Sequence, residues 1–240
     1  MAVYNERPTI EEILRRVQAV DMPKEVIIVE DGSTDGTREW LLKMQRRQAA
    51  GEQDAEILDG RERLLLADLR FFFQDRNRGK CAALRRGFAE ATGDIVLVQD
   101  ADLEYDPRDY GKLLEPIVDG RADVVYGSRF LGGSKSVHFL RHYVANKILT
   151  LLSDMLTNLK LSDIETGYKV FRREVLAGIR LKSNGFGFEP EITAKIGRGK
   201  WRVYEVPISY AGRTYEEGKK ITWRDAFYAL WCIVRFRLFD

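Results

Sequence analysis

Apolar positions along this chain alternate between two periods. Ile10, Ile13, Leu14 and Val17 fall on one helical stripe, opened by Thr9 and Glu12 at capping-box spacing. The unbroken run Val26–Val29 predicts a strand, followed by a helix over about 34–44 and a strand near Phe71–Phe73. A helix over about 80–91, stopped by Gly93, leads into a strand at 95–98. A further helix near 107–118, with Asp106 as N-cap before Pro107, precedes a strand at 123–126. Such alternation predicts an α/β protein, a Rossmann-like and mostly parallel sheet with helices on both faces. In such sheets ligands bind beyond the carboxyl ends of the strands.

Two strand ends are acidic. Val96-Leu97-Val98-Gln99-Asp100-Ala101-Asp102 stops in two carboxylates one residue apart, with Glu104 following, and Val26–Val29 runs into Glu30-Asp31-Gly32-Ser33. Alternate residues leaving a strand can turn toward one point, so Asp100, Asp102 and Glu104 are candidate ligands for a hard cation, Mg²⁺ or Mn²⁺. The plainer reading is a charged loop opening the next helix.

Two segments break the pattern. Only Met1–Tyr4 precede Asn5-Glu6, short of the ~5–6 residues usual for a central strand, so either the start lies upstream or this edge is frayed. Residues 45–70, rich in Arg, Glu, Gln and Asp, show no strand or turn period and read as a surface insertion, with Leu64–Leu66 and Leu69 in a short extra helix.

Composition narrows the classes. With 240 residues, 45% of them hydrophobic, the chain can bury one substantial core. A net charge of +2 gives no argument for nucleic acid as a partner. Cys81 and Cys232, far apart, suggest neither a disulfide framework nor a zinc site and read as buried small hydrophobes in a reducing compartment. No secretory signal and no apolar stretch near the ~20 residues of a membrane span is visible.

Together the motifs resemble family 2 glycosyltransferases. Val3-Tyr4-Asn5-Glu6, Glu30–Thr37, Asn77-Arg78-Gly79-Lys80 and Asp100-Ala101-Asp102 occur in that family's order and spacing. Gly127-Ser128-Arg129, Asp163–Lys169 and Arg213–Lys220 resemble its dolichol-phosphate mannose synthase branch, in particular the bacterial members. The resemblance implies a GT-A fold, a nucleoside-diphosphate sugar donor (GDP- or UDP-sugar) and a divalent metal. By position it implies donor contacts at Tyr4, Glu6, Asp31, Lys80 and Asp100. It makes Asp102 the principal metal ligand and a catalytic residue. Glu30 departs from the family's usual aspartate, and Glu104 stands where that branch often has glutamine.

The chemistry asks for a metal to offset charge developing on the departing diphosphate. A hydroxyl acceptor would also need a general base, with Asp163 or Glu165 as candidates. A lipid phosphate is already anionic and needs cations instead: Arg129, Arg141, Arg213 and Lys219 are placed to serve, with Glu189 as a further acceptor-side residue. The expected domain division is 1–210 for transfer and 211–240 for an acceptor-side loop and C-terminal amphipathic helix. In that helix Phe227, Leu230, Trp231 and Val234 share a face, accompanied by Arg224, Arg235 and Arg237. It either lies in the headgroup region of an anionic membrane or docks on its own domain. The helix near 140–158, with Val144, Ile148, Leu151, Leu152 and Met155 on one side, reads as core.

The sequence therefore predicts an inverting transferase moving a hexose to a polyprenyl phosphate, peripheral at the cytoplasmic membrane face. The alternatives are transfer to a saccharide hydroxyl, or a nucleotide-sugar-binding subunit without transfer.

Overall fold

A computed structural model describes residues 1–132, 140–185, 187–212 and 223–239. In chain order the first elements are β1 (Ala2–Val3), α1 (Ile10–Gln18), β2 (Val26–Glu30), α2 (Thr37–Ala49), β3 (Asp54–Ile57), β4 (Glu62–Leu65), β5 (Leu69–Phe73) and α3 (Lys80–Glu90), of which β3 and β4 have no counterpart in the sequence pattern. They continue through β6 (Ile95–Leu97), a 3-10 turn at Pro107–Asp109, α4 (Tyr110–Val118), β7 (Val124–Ser128), α5 (Leu140–Thr157), β8 (Lys169–Arg172), α6 (Arg173–Ala177), α7 (Phe188–Ile196), β9 (Val203–Pro207) and α8 (Trp223–Leu238).

One sheet has the order β1-β2-β5, all parallel, and a second β6-β8-β7-β9. In the second, β8 runs antiparallel to both its neighbours while β7 and β9 are parallel. A single parallel bridge, Ala2 to Asp100, joins the two sheets. The core divides likewise: Ile10, Ile13, Leu14 and Leu113 pack over one face, Leu84, Phe171, Phe188 and Ile192 over the other.

Several expectations change. Residues 45–70 hold no extra helix: Leu64 and Leu65 belong to the antiparallel hairpin β3–β4, and Leu69 opens β5. Ala55, Ile57, Leu64 and Leu66 are fully buried, so a segment that otherwise lies largely at the surface contributes four side chains to the core. Its strands are four residues each, and the turn between them takes left-handed φ at Leu58 (51°) and Asp59 (55°) before Gly60, without the Asn-Gly pair that advertises a hairpin. Glu11 accepts from the Leu58 amide at 2.6 Å, pinning the turn to α1. Nor does the capping box form. The Thr9 hydroxyl bonds Glu6 Oε2 (2.7 Å) and the Ala101 carbonyl (3.0 Å), while Glu12 pairs with Arg15 and Arg16. Asp106 does cap the turn at Pro107, accepting from the Arg108 amide at 3.0 Å.

The largest correction is α5. Val144, Ile148, Leu151 and Met155 are exposed at 45–65%, not core, while Asn146, Thr150, Ser153 and Thr157 are buried. A 3.6-residue stripe shows that a helix has an apolar face, not which neighbour covers it. Helix α8 packs on α5 and α7 through Ala229, Cys232, Ile233 and Phe236, and also exposes Phe227, Trp231, Val234 and Leu238.

Candidate active site

The loops after β1, β2 and β6 meet at the carboxyl ends of these strands. Beyond β2, Glu30 is fully buried and accepts from the Ser33 amide and the Arg38 guanidinium, so the residue that departs from the family pattern closes its own turn. Asp31 accepts from Gln74 Nε2 (2.7 Å) and from the amides of Arg78 (2.8 Å) and Gly79 (2.8 Å). It holds the Asn77–Lys80 loop against β2. Gly32, at φ 76°, is required here, because a Cβ would strike the backbone of Arg76 and Asn77. Asn5 and Glu6 are stitched to the same edge: Asn5 Oδ1 accepts from the Thr34 amide (2.8 Å), and the Glu6 amide donates to the Thr37 hydroxyl (3.0 Å). Tyr4 and Glu6 are half-buried on this loop.

At the mouth of α3, the Lys80 ammonium lies 3.0 Å from Asp100 Oδ1 and 2.9 Å from Glu189 Oε1. Burial works against its charge, but the two carboxylates outweigh that and hold Lys80 well above the ordinary lysine range. Glu189, expected on the acceptor side, is thus placed with Lys80 and Asp100. Glu191 accepts from the amides of Lys182 (2.6 Å) and Ser183 (2.7 Å), a structural role.

Asp100, Asp102 and Glu104 do not converge as a triplet, and no group of three ligating side chains capable of holding a metal exists among the described residues. Asp100 turns to Lys80, Asp102 Oδ1 accepts from the Glu104 amide (3.1 Å), and Glu104 Oε2 accepts from Tyr210 (3.2 Å). Asp100 and Asp102 still fit a hard cation in the two-carboxylate manner. Both are half-buried at the strand's end with oxygen-only donors, and Mg²⁺ commonly takes its remaining ligands from phosphates and water. Gly167 belongs to this arrangement, since a Cβ there would collide with the Asp100 carboxylate.

On the other side lies a saturated pair. Arg129 grips Asp163 with two nitrogens, Nε to Oδ2 at 2.7 Å and Nη2 to Oδ1 at 2.7 Å. Asn146 of α5 adds a bond to Oδ1 at 2.8 Å. Asp163 is fully buried. Burial alone would raise its pKa, but Arg129 holds it below the usual carboxylate range. A carboxylate so paired is a poor proton acceptor, which argues against Asp163 as a general base. Glu165 is the opposite case: burial, reinforced by Glu189, pushes it up to about 7, and its Oε1 is buried with no hydrogen-bond partner. Beneath both, the fully buried Lys169 donates to the carbonyls of Ile164 (3.0 Å) and Thr166, fixing the loop.

Of the remaining candidates, Arg141 lies in α5 with its side chain outside the described set, and Arg213 and Lys219 lie outside the described residues. Sequence reasoning missed Asn146, Lys169 and Glu205, whose carboxylate accepts from the amides of Ser162 (2.9 Å) and Asp163 (3.1 Å). Lys169 had a signal, a cation inside the apolar run Val170-Phe171. Asn146 and Glu205 had none.

The profile of glycosyl transferase family 2 matches residues 1–180. The chain belongs to glycosyl transferase family 2. It is 29% identical over 222 residues to a dolichol-phosphate mannosyltransferase of Pyrococcus furiosus, covering 90% of this chain and 56% of that protein. It is 31% identical over 214 residues to a polyprenol monophosphomannose synthase of Mycolicibacterium smegmatis, covering 88% of this chain and 75% of the relative. The chain thus spans little more than half of the Pyrococcus protein. Among solved structures, the glucosyl-3-phosphoglycerate synthase of Mycobacterium tuberculosis with bound UDP superposes with a TM-score of 0.67 at 20% identity, over 99% of this chain and 76% of that one. Its complex with Mn²⁺, UDP-glucose and phosphoglyceric acid gives 0.65 at 19%, over 98% and 77%. The fold of this family member is GT-A, as its motifs imply.

Proposed function

We propose that this chain transfers a hexose, with inversion, from a nucleoside-diphosphate sugar to a polyprenyl phosphate at the inner face of the cell membrane. The observation that carries this reading is the two-sidedness of α5. Its inner face carries Asn146, Thr150, Ser153 and Thr157 beside Leu149 and supplies Asn146 to the Arg129–Asp163 pair, while its outer face presents Val144, Ile148, Leu151 and Met155 to the surroundings. An inside-out helix suits an acceptor with an anionic head and an apolar tail. Helix α8 adds Phe227, Trp231, Val234 and Leu238 beside it, with Arg235 and Arg237 to meet anionic headgroups. No described helix is long and apolar enough to cross a membrane. The acceptors in the relatives' names, dolichol phosphate and polyprenol phosphate, are of the same class.

In this reading Asp31 and the loops it ties shape the nucleotide pocket, with Tyr4 and Glu6 on its rim. Lys80 places a fixed positive charge beside Asp100, where the diphosphate would sit. Asp100 and Asp102 would hold a Mg²⁺ or Mn²⁺, which would neutralise charge on the departing diphosphate. Asp163 orients Arg129, whose guanidinium gives the acceptor phosphate a positive partner; an anionic acceptor needs no base. Arg141, Arg213 and Lys219 would add to that cationic side.

The second reading, transfer to a saccharide hydroxyl, draws on Glu165, whose raised pKa of about 7 suits a general base. The test offers the purified protein a panel of GDP- and UDP-hexoses with either polyprenyl phosphate in vesicles or soluble saccharides, and follows product by mass spectrometry. Sugar-linked polyprenyl phosphate is the expected product. Glycosylated saccharide alone would select the second reading, and donor binding without any turnover would leave a binding subunit.

A further inference from the structure

Strands β7 and β9 run parallel and end side by side, with Ser128 opposite Pro207. The chain leaving β9 then crosses from one half of the site to the other, and each residue of the crossing is fastened. The Ile208 amide donates to the Ser128 carbonyl (3.1 Å), one residue before Arg129. The Ser209 amide donates to Asp109 Oδ2 (2.6 Å), Tyr210 pairs antiparallel with Tyr105, and the Ala211 amide donates to the Glu104 carbonyl (2.9 Å). Backbone bonds alone therefore hold Tyr210 between Arg129 and the loop that carries Asp100, Asp102 and Glu104.

The side chain of Tyr210 reaches both. The guanidinium carbon of Arg129 lies over its ring, 5.1 Å from the centre, and the negative face of an aromatic ring attracts a cation. Asp163 already holds two nitrogens of Arg129, so the ring adds a further contact to a cation whose position is largely set. The Tyr210 hydroxyl donates to Glu104 Oε2 at 3.2 Å, and the Glu104 amide donates to Asp102 Oδ1 at 3.1 Å. Tyr105 backs the ring at 5.4 Å, and its own hydroxyl accepts from the Gly167 amide (2.8 Å), four residues after Asp163. Tyrosine suits such a place because it offers an aromatic face to a guanidinium and a phenolic proton to a carboxylate.

We propose that Tyr210 is a positioning residue for both sides of the transfer: its ring seats Arg129 for the acceptor phosphate, and its hydroxyl holds Glu104 so that Asp102 keeps its metal-binding position. The assignment rests on the function proposed above, in which Arg129 meets the acceptor and Asp100 and Asp102 hold the metal. Tyr210 touches neither ligand itself. It acts through Arg129 on one side and through Glu104 on the other, and the two actions belong to different atoms of one side chain. Phenylalanine keeps the ring and removes the hydroxyl, whereas leucine removes both.

The parent chain is compared with Tyr210→Phe and Tyr210→Leu. Mn²⁺ binding is followed by electron paramagnetic resonance without donor or acceptor, and the KM for polyprenyl phosphate in vesicles is measured at saturating donor and metal. Tyr210→Phe is expected to bind Mn²⁺ about tenfold more weakly, as for loss of an outer-shell hydrogen bond, with its acceptor KM within about twofold of the parent. Tyr210→Leu should show the same weakening and, in addition, an acceptor KM raised about fivefold. Both should melt close to the parent, because the bonds that fasten 208–211 are made by the backbone. A residue that only filled space would leave Mn²⁺ binding unmoved in Tyr210→Phe. Parental Mn²⁺ affinity in Tyr210→Phe, or a parental acceptor KM in Tyr210→Leu, overturns the proposal. Should Tyr210→Leu fail to fold, Tyr210→Phe still decides: unchanged Mn²⁺ affinity, or an acceptor KM that rises with the ring in place, sinks it. A parent chain that binds no Mn²⁺ or transfers no sugar to lipid phosphate removes the proposed function and this assignment with it. A parent that does both, beside variants that match it, removes this assignment alone.

Discussion

Two clusters of like composition sit a short way apart in this protein and are built for opposite purposes. Lys80 is shared by Asp100 and Glu189, with side chains 22%, 16% and 7% exposed. Arg129 is locked in a two-pronged grip on Asp163, with side chains 14% and 0% exposed. The first is a cation between two acids, partly open to solvent, with room for a ligand's charges to change its pairing. The second has its carboxylate consumed: each Asp163 oxygen accepts more than one bond. Desolvation makes the difference. A charge pair in the dry interior must be complete to be tolerated, whereas one at a cleft can be left for a ligand to finish.

Substitution separates the two clusters most sharply. Arg129→Ala leaves Asp163 buried and uncompensated, which costs about 3–5 kcal/mol. Denaturant unfolding should therefore show a large loss of stability along with the loss of activity, and Arg129→Lys should recover little because an ammonium cannot make the two-pronged grip. Asp102→Ala is the opposite case. Transfer should drop on the order of 10²–10³-fold, while stability changes by less than about 1 kcal/mol, since Asp102 is half-buried. A protein with Asp102→Ala that is fully active in the presence of chelator would remove the metal assignment. An Arg129→Ala protein of parental stability would show that the pair is not the structural clamp described.

A smaller effect comes from Glu165, which lies between the clusters. In the native protein it stays protonated up to about 7, whereas an unfolded glutamate ionises near 4.5. Between these values the folded state holds the extra proton, so this group makes stability fall as pH rises from about 4.5 to 7, with no further change above that. Glu165→Gln should flatten that part of the stability–pH profile, by on the order of 3 kcal/mol. An unchanged slope would mean that Glu165 ionises normally and belongs with the open cluster. If the acceptor is lipid phosphate, turnover survives this substitution; loss of turnover would favour the hydroxyl acceptor.

The smallest effect concerns the outer surface. Arg235→Glu combined with Arg237→Glu should weaken flotation with anionic liposomes, at about 1 kcal/mol for each cation near the lipid, and added salt should mimic part of the loss in the parent. Neutral liposomes should be indifferent to the change. Arg237 also donates to the Leu156 carbonyl at 2.6 Å, so the melting temperature is followed in parallel. Unaltered binding to anionic vesicles in a stable double variant would assign α8 to packing alone.

What could be read from the chain was whatever depends on near neighbours. The alternation of strand and helix, the acidic ends of β2 and β6 and the loop glycines are short-range patterns, and the ordered motifs carried the family and the fold. Tertiary structure decided what those patterns meet. Leu64 and Leu66 read as part of a short extra helix on a surface insertion until the hairpin brought them under α1. Val144 and Ile148 read as core because their spacing marks an apolar face, and only the packing of the polar side of α5 inward turned that face out. Asp163 and Glu165, two residues apart in one motif, were equivalent candidates for a base. Arg129, 34 residues earlier in the chain, consumed the first, and burial near Glu189 raised the second. Charge type is written in the sequence, but the solvent exposure and partners that set its chemistry belong to the fold.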